Sequence, residues 1–162
     1  MTLGDLTRDR DVAVLVFWSS SCPCVRRYQG RVDALLDRYP GDRVRVLGIA
    51  SNAGETLEET LQVADSRGVR IPILRDEGGA LARAVGATTT PTVAVLDAGG
   101  ALRFLGWLDN EEPMESPDRE PWLEEVVDAL LAGRGAFAAR TPTYGCTITR
   151  SRLRTRPSVL TS

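Results

Sequence analysis

The sequence contains no histidine, and all 20 of its basic residues are arginine. Without histidine there is no Ser-His-Asp or Cys-His catalytic pair, no histidine metal ligand and no histidine-based pH switch. Cysteine is scarce as well, with Cys22, Cys24 and Cys146 its only instances. Three cysteines are too few for a disulfide-stapled secreted scaffold, and the odd number leaves at least one thiol unpaired within the chain. Any chemistry must therefore use cysteine, carboxylates, hydroxyls, tyrosine or backbone groups.

Long apolar runs and a strong net charge are also missing. The apolar run Val12–Trp18 is much shorter than a membrane span, and the acidic residues before it do not fit a signal peptide. A net charge of −2 gives no indication of nucleic-acid binding. A length of 162 residues predicts one globular domain. We expect a protein without a membrane span, cytoplasmic as written, and periplasmic or otherwise extracytoplasmic if a leader is missing.

The apolar pattern predicts alternating strands and helices. The β-branched run Val12–Trp18 is typical of a strand buried on both faces, and helical spacing follows from Cys22 to Pro40. A second apolar strand, Val44–Ile49, completes a right-handed βαβ unit. Further elements predicted are a helix at 55–67 with Leu57, Leu61 and Ala64 on one face, an edge strand at 71–74, a helix at 79–85, strands at 88–97 and 101–108, an acidic loop at 109–120 and a last helix ending at Gly133.

The charge distribution divides the chain in two. Residues 1–133 carry 14 arginines and 22 acids, a net charge of −8, whereas residues 134–162 carry six arginines and no acid. We therefore predict a domain at 1–133 and a basic C-terminal extension at 134–162 that carries Cys146, folds back on the acidic body and ends in a flexible stretch.

Several motifs together carry a family resemblance. The segment Phe17–Cys24, reading F-W-S-S-S-C-P-C, resembles the active-site entry of thioredoxin-superfamily redoxins, the group of thioredoxin-like and AhpC-TSA-like proteins. Thr90-Pro91-Thr92 resembles the cis-proline loop of that superfamily, and Gly145-Cys146-Thr147-Ile148 is similar to a G-C-[ST]-I motif near the C-terminus of one subfamily. The resemblance implies an α/β, thioredoxin-like fold: a central mixed β-sheet flanked by helices, with a redoxin-type insertion and a C-terminal extension.

A thiol at the first turn of a helix meets unpaired backbone N–H groups and the positive end of the helix dipole, which favour the thiolate. Cys22 occupies that place, so we expect it to be the nucleophile. Arg26 and Arg27, one turn further on, either stabilise this thiolate or form an ordinary solvated helix surface.

The sequence departs from the usual C-x-x-C redox pair, because Val25 stands where the second cysteine would be. A disulfide between Cys22 and Cys24 would close a very small, strained ring. Cys146 is therefore a candidate resolving thiol, with Cys24 as a relay or third partner; an ordinary packed thiol is the alternative for Cys146. The strand Val12–Trp18 also lacks an acidic residue. Thioredoxins carry a buried acid on this strand, which takes part in proton transfer at the second thiol.

The resemblance implies that Pro91 is cis and lies beside the nucleophile, with Thr90 free to pair with an extended substrate. Trp18 then packs either beside the site or in the ordinary core. These features predict a thiol-disulfide oxidoreductase with antioxidant activity, a protein disulfide or small peroxide as substrate, a thiol reductant, and no cofactor. The alternatives are a peroxiredoxin-like thiol peroxidase, a Cu(I) or other soft-metal module held by the three cysteines, and a catalytically silent interaction protein.

Overall fold

A computed structural model describes residues 2–134, 139–140 and 146–149. The strands are β1 (Val12–Phe17), β2 (Val44–Ala50), β3 (Ile73–Arg75), β4 (Thr89–Thr90), β5 (Thr92–Asp97), β6 (Leu102–Gly106), β7 (Ala139–Arg140) and β8 (Cys146–Thr147). The helices are α1 (Leu3–Leu6), α2 (Pro23–Arg38), α3 (Leu57–Ser66), α4 (Ala80–Val85) and α5 (Trp122–Leu131), with a 3-10 turn at Glu77–Gly79.

The main sheet has six strands in the order β3-β2-β1-β5-β6-β7. Strand β1 pairs parallel with β2 and antiparallel with β5, and β2 pairs parallel with the short edge strand β3. The sheet is therefore mixed, and the α/β thioredoxin-like architecture predicted from the sequence is confirmed.

The sheet is covered on both faces because β1 is apolar at every position. Val12, Val14 and Val16 belong to a buried cluster that includes side chains of α2 and α5. Ala13, Leu15 and Phe17 belong to a second cluster, on the other face, that includes side chains of α4. Alternate strand residues point to opposite faces, so one continuous apolar run fills both cores. None of the helices in the described ranges combines the length and apolar character that crossing a membrane requires.

Three sequence-based predictions about local structure are corrected. The strand expected at 88–97 is split at Pro91, and β4 leaves the main sheet to form a separate two-stranded sheet with β8. The return strand is only Leu102–Gly106. Leu57 and Leu61 do not form the inner face of α3: they are 41% and 44% exposed, and Thr60 and Ala64 are buried instead.

The acidic loop is also not uniformly solvated. Its first residue, Asp109, is 1% exposed and accepts hydrogen bonds from Arg31 and Arg119. Arg119 in turn donates to Glu124 on α5 at 3.1 Å. This buried cluster joins α2, the loop and α5 behind the sheet, and so fixes α2 relative to the core.

Most of the basic extension lies outside the described residues, including the arginines at 150, 152, 154 and 156, so the predicted electrostatic attraction to the body stays a prediction. The described part, Cys146–Thr149, lies against the domain. Ile148 is 4% exposed and belongs to the same apolar cluster as Leu15 and Phe17.

Candidate active site

Cys22 lies where the first strand gives way to the long helix. Strand β1 ends at Phe17, a serine loop follows, and Cys22 is the N-cap of α2 with Pro23 at the first helical position. Proline fits there because the first helical N–H has no partner within the helix. The Cys22 residue is only 2% exposed, so the thiol lies at a helix N-terminus that is largely closed to solvent.

The surroundings of Cys22 favour its thiolate. Burial opposes the charged form, but hydrogen bonds from the Cys146 thiol, the Thr90 hydroxyl and the Val25 backbone N–H outweigh it, so the pKa of Cys22 is lowered. In the protonated form Sγ of Cys22 donates to the Thr90 carbonyl at 3.2 Å. The buried Thr90 hydroxyl has no hydrogen-bond partner among the described residues, which leaves it available to the thiolate.

Cys146 has the opposite tendency. Its hydrogen bond to Cys22, its partial burial and the negative charges of Cys22 and Cys24 raise the pKa of Cys146 to about 11. The two shifts therefore favour the thiolate at Cys22 and the thiol at Cys146. Cys146 is brought to this position by β8, which places it directly opposite Thr90.

Cys24 completes the group of three thiols. It is half-buried in the first turn of α2, packs against the apolar cluster that contains Cys22, and lies within interaction range of Cys146. All three cysteines are unbonded thiols. Among residues 2–134, 139–140 and 146–149, no set of three Cys, Asp or Glu side chains is arranged to hold a metal ion.

The structure also brings Thr90, Pro91 and Trp18 to the site. The peptide bond between Thr90 and Pro91 is cis, and both residues are buried. Trp18 is 3% exposed and shares an apolar cluster with Cys22 and Val25. Trp18 therefore packs in the core and also lies beside the Cys22 thiol.

Arg26 and Arg27 lie on the exposed side of α2. Arg27 pairs with Glu111 at 3.4 Å while its side chain stays 65% exposed. The largest contributions that lower the pKa of Cys22 come from hydrogen-bond donors, as described above. A thiolate-stabilising role for either arginine stays a prediction.

Glu55 lies close to the candidate site and was not among the residues predicted from the sequence. Its Oε1 atom accepts hydrogen bonds from the hydroxyls of Ser19, Ser20 and Ser21 at 2.8, 3.1 and 2.9 Å. Burial opposes the carboxylate, but these donors outweigh it and lower the pKa of Glu55. The serine run before Cys22 thus serves to fold the loop around one carboxylate.

Asn52 connects this loop to the C-terminal segment. Its amide Nδ2 donates to Ser19 Oγ at 2.9 Å, and its Oδ1 accepts the backbone N–H of Thr149 at 2.9 Å. Both Asn52 and Glu55 follow β2, which is parallel to β1. The carboxyl ends of neighbouring parallel strands meet at one edge of a sheet, and that rule is the signal that could have located these residues.

The pH dependence of Cys22 alkylation tests whether Cys146 donates a hydrogen bond to the Cys22 thiolate. With iodoacetamide, the wild-type rate should reach half its plateau at a lower pH than that of an ordinary cysteine thiol, because the pKa of Cys22 is lowered. Cys146→Ala removes a donor to the thiolate, so the midpoint should rise by about one unit. Cys146→Ser keeps a hydroxyl donor and should retain the low midpoint. Equal midpoints in the alanine and serine variants would contradict this assignment.

Comparisons with known proteins agree with this geometry. The model of the AhpC/TSA family matches residues 1–105. No curated protein matches the sequence. The matched part contains β1, the serine loop, the first two cysteines and the cis-proline.

Solved structures extend the similarity over most of the chain. A hypothetical protein from Sinorhizobium meliloti is 28% identical, with a TM-score of 0.76 over 92% of this chain and 84% of its own. An uncharacterized conserved protein from Geobacillus kaustophilus is 27% identical, with a TM-score of 0.76 over 91% and 80%. A secreted disulfide oxidoreductase of Mycobacterium tuberculosis is 17% identical, with a TM-score of 0.50 over 75% and 81%, a likeness that concerns the fold alone.

Proposed function

Because the chain belongs to the AhpC/TSA family, we propose that it is a thiol-dependent oxidoreductase in which Cys22 is the nucleophile and Cys146 the resolving thiol. The observation that carries this proposal is the pairing of a Cys22 thiol of lowered pKa with a Cys146 thiol of raised pKa. A nucleophile must be a thiolate at working pH, whereas a resolving thiol is needed only after the first step.

In thiol-disulfide exchange, the Cys22 thiolate attacks one sulfur of a substrate disulfide. A mixed disulfide forms at Cys22, and the other substrate sulfur leaves as a thiolate that takes up a proton. Cys146 then loses its proton and attacks Sγ of Cys22, which releases the second substrate thiol. The substrate disulfide has been reduced to two thiols, and the protein has been oxidised to a Cys22–Cys146 disulfide.

Peroxide reduction is the second candidate, and the burial of Cys22 favours it because a 2% exposed residue is more accessible to a small oxidant than to a protein disulfide. Here the Cys22 thiolate attacks one peroxide oxygen, the O–O bond breaks, and the departing oxygen takes up a proton as water or an alcohol. The Cys22 sulfenic acid then condenses with Cys146, and water leaves. Both routes end at the same disulfide, which two thiols of an external reductant return to the dithiol form.

The first substrate is identified by single-turnover oxidation of the reduced protein. With an equimolar amount of hydrogen peroxide or of hydroxyethyl disulfide, the free thiols of the protein are counted over time after the small molecules have been removed, because each hydroxyethyl disulfide that is reduced releases two small thiols. Loss of two thiols per chain with either oxidant supports the proposal, and the faster oxidant identifies the substrate class. Insulin reduction with dithiothreitol as the reductant then measures turnover on a protein disulfide. A chain that loses no thiols with either oxidant would overturn the proposal.

A further inference from the structure

Asn52 is a buried side chain that contacts the chain segments of both Cys22 and Cys146. It follows the end of β2 and is 7% exposed. Its Nδ2 atom donates to Ser19 Oγ at 2.9 Å, and Ser19 belongs to the loop that leads to Cys22. Its Oδ1 atom accepts the N–H of Thr149, on the segment that carries Cys146, at 2.9 Å. One amide group therefore links the two segments.

The direction of these hydrogen bonds is set by Glu55. Burial opposes the Glu55 carboxylate, but the serine hydroxyls outweigh it and lower the pKa of Glu55, so the group acts as an acceptor. The Ser19 hydroxyl has a single proton, which it donates to Glu55 Oε1 at 2.8 Å. Ser19 Oγ therefore accepts from Asn52, which turns the Nδ2 atom of the amide towards Ser19 and its Oδ1 atom towards Thr149. The charge of one carboxylate thus orients the amide that holds Thr149.

The position of Cys146 depends on contacts of this kind because β8 is short. Strand β8 has two residues and pairs with the two residues of β4. Beyond β8, the Thr149 carbonyl accepts the Ala53 N–H at 2.9 Å, and the Thr149 hydroxyl donates to the Ala53 carbonyl at 3.1 Å. These contacts hold Thr149 beside the end of β2, whereas the Asn52 contact also holds it to the loop before Cys22.

We propose that Asn52 is a positioning residue of the resolving step: its amide holds the Cys146 segment against the loop before Cys22 and so keeps the two thiols within reach of each other. This inference deepens the proposed function, on which it rests for the roles of the two thiols. The resolving step is intramolecular, so it depends on how well Cys146 is held at Cys22. Without the Asn52 amide, the part-buried Thr149 N–H loses its acceptor, which favours conformations in which water reaches it.

The effective concentration of Cys146 at Cys22 is measured by equilibrating the full-length protein with reduced and oxidised glutathione. One oxidised glutathione is reduced to two thiols for each Cys22–Cys146 disulfide that forms. The parent protein and all its variants carry Cys24→Ser, so that no other disulfide can form within one chain. Asn52→Ala should lower the effective concentration about tenfold relative to the parent.

Asn110→Ala is the matched control, because Asn110 also uses both ends of its amide. Its Nδ2 atom donates to the Asp118 carbonyl at 2.9 Å, and its Oδ1 atom accepts the Glu120 N–H at 2.9 Å, both within the loop after β6. Asn110→Ala therefore removes a similar pair of hydrogen bonds, and its effective concentration should equal that of the parent. An equal decrease in Asn110→Ala and Asn52→Ala would overturn the proposal.

A second variant removes the same hydrogen bond from its other partner. Thr149→Pro has no N–H to donate to Asn52 and leaves residues 1–134 unchanged, so it stays informative if Asn52→Ala does not fold. It should also lower the effective concentration, whereas Thr149→Ser, which keeps the N–H and the hydroxyl, should match the parent. Because both substitutions remove one contact, the decrease in Asn52→Ala, Thr149→Pro should be well below the product of the two single decreases. A combined decrease equal to that product would overturn the proposal.

The glutathione equilibrium also distinguishes failure of this inference from failure of the proposed function. A Cys22–Cys146 disulfide that forms with equal effective concentration in the parent, in Asn52→Ala and in Thr149→Pro would overturn the inference and leave the proposed function intact. Absence of that disulfide from the parent at every ratio of oxidised to reduced glutathione would overturn both.

Discussion

Cys22→Ser is expected to reduce the rate of turnover by about a thousandfold or more, with dithiothreitol as the reductant and the oxidant identified in the single-turnover assay. The hydroxyl that replaces the thiol is not ionised at neutral pH, so the donors around position 22 would have no thiolate to stabilise. Cys146 lies on the short strand β8 rather than at the first turn of a helix, so we do not expect it to substitute for Cys22. The measurement is the initial rate of dithiothreitol oxidation at pH 7.

Two matched variants serve as controls for the loss of turnover expected in Cys22→Ser. Cys24→Ser removes a neighbouring thiol two residues away and should keep most of the turnover, because Cys146 remains to resolve Cys22. Cys146→Ser should allow the first step and then stop, with oxidised Cys22 accumulating as a sulfenic acid or mixed disulfide that mass spectrometry detects. If Cys22→Ser retains turnover, Cys22 is not the nucleophile.

Asp109→Ala is expected to lower the free energy of unfolding by about 3–5 kcal/mol. The Asp109 side chain is fully buried, and the side chains of its partners Arg31 and Arg119 are only 18% and 11% exposed. Asp109 also accepts the Glu111 backbone N–H at 2.9 Å. Removal of the carboxylate leaves one guanidinium without its acidic partner and the other with Glu124 alone. Chemical denaturation of the reduced protein measures the change.

Asp118→Ala is the control for this prediction, because Asp118 lies in the same loop, carries the same charge and is exposed. It should change the unfolding free energy by no more than about 0.5 kcal/mol. Asp109→Asn, which keeps the size and one acceptor oxygen, should fall between the two. A loss below about 1 kcal/mol in Asp109→Ala would show that the buried ion cluster does not stabilise the domain.

The parts of the fold that depend on local pattern could be predicted from the sequence. The run Val12–Trp18 is apolar at successive positions and rich in β-branched residues, which is typical of a strand covered on both faces. The helical spacing after Cys22 ends before Pro40, as predicted. The position of Cys22 at a helix start also follows from local sequence alone. These predictions succeed because neighbouring residues decide them.

The remaining features depend on residues far apart in the chain. The spacing of Leu57, Leu61 and Ala64 gives α3 an apolar stripe, but the helix packs through the smaller side chains of Thr60 and Ala64, and the two leucines stay exposed. The charge of Asp109 is typical of a surface loop, and its burial is compensated by Arg31, which approaches from α2, together with Arg119. Local pattern cannot supply such tertiary partners.

In the candidate site, too, some features depend on residues that are far apart in the chain. The serine run before Cys22 has no evident purpose in the sequence, because its acceptor Glu55 comes about 35 residues later. Likewise, the role of Cys146 depends on the pairing of β8 with β4. The resemblance suggested that Thr90 pairs with a substrate strand, and in this structure the chain's own segment is in that place.

Disulfide mapping after mild oxidation tests the central claim, the pairing of Cys22 with Cys146, most directly. Trypsin cleaves after arginine, so Cys22 and Cys24 fall in one peptide, residues 11–26, and Cys146 in another, residues 141–150. The account predicts that one equivalent of oxidant links these two peptides within one chain, and that the link persists in Cys24→Ser. A peptide 11–26 that is unlinked and two hydrogens lighter, from a Cys22–Cys24 disulfide, would contradict it, as would loss of the link in Cys24→Ser.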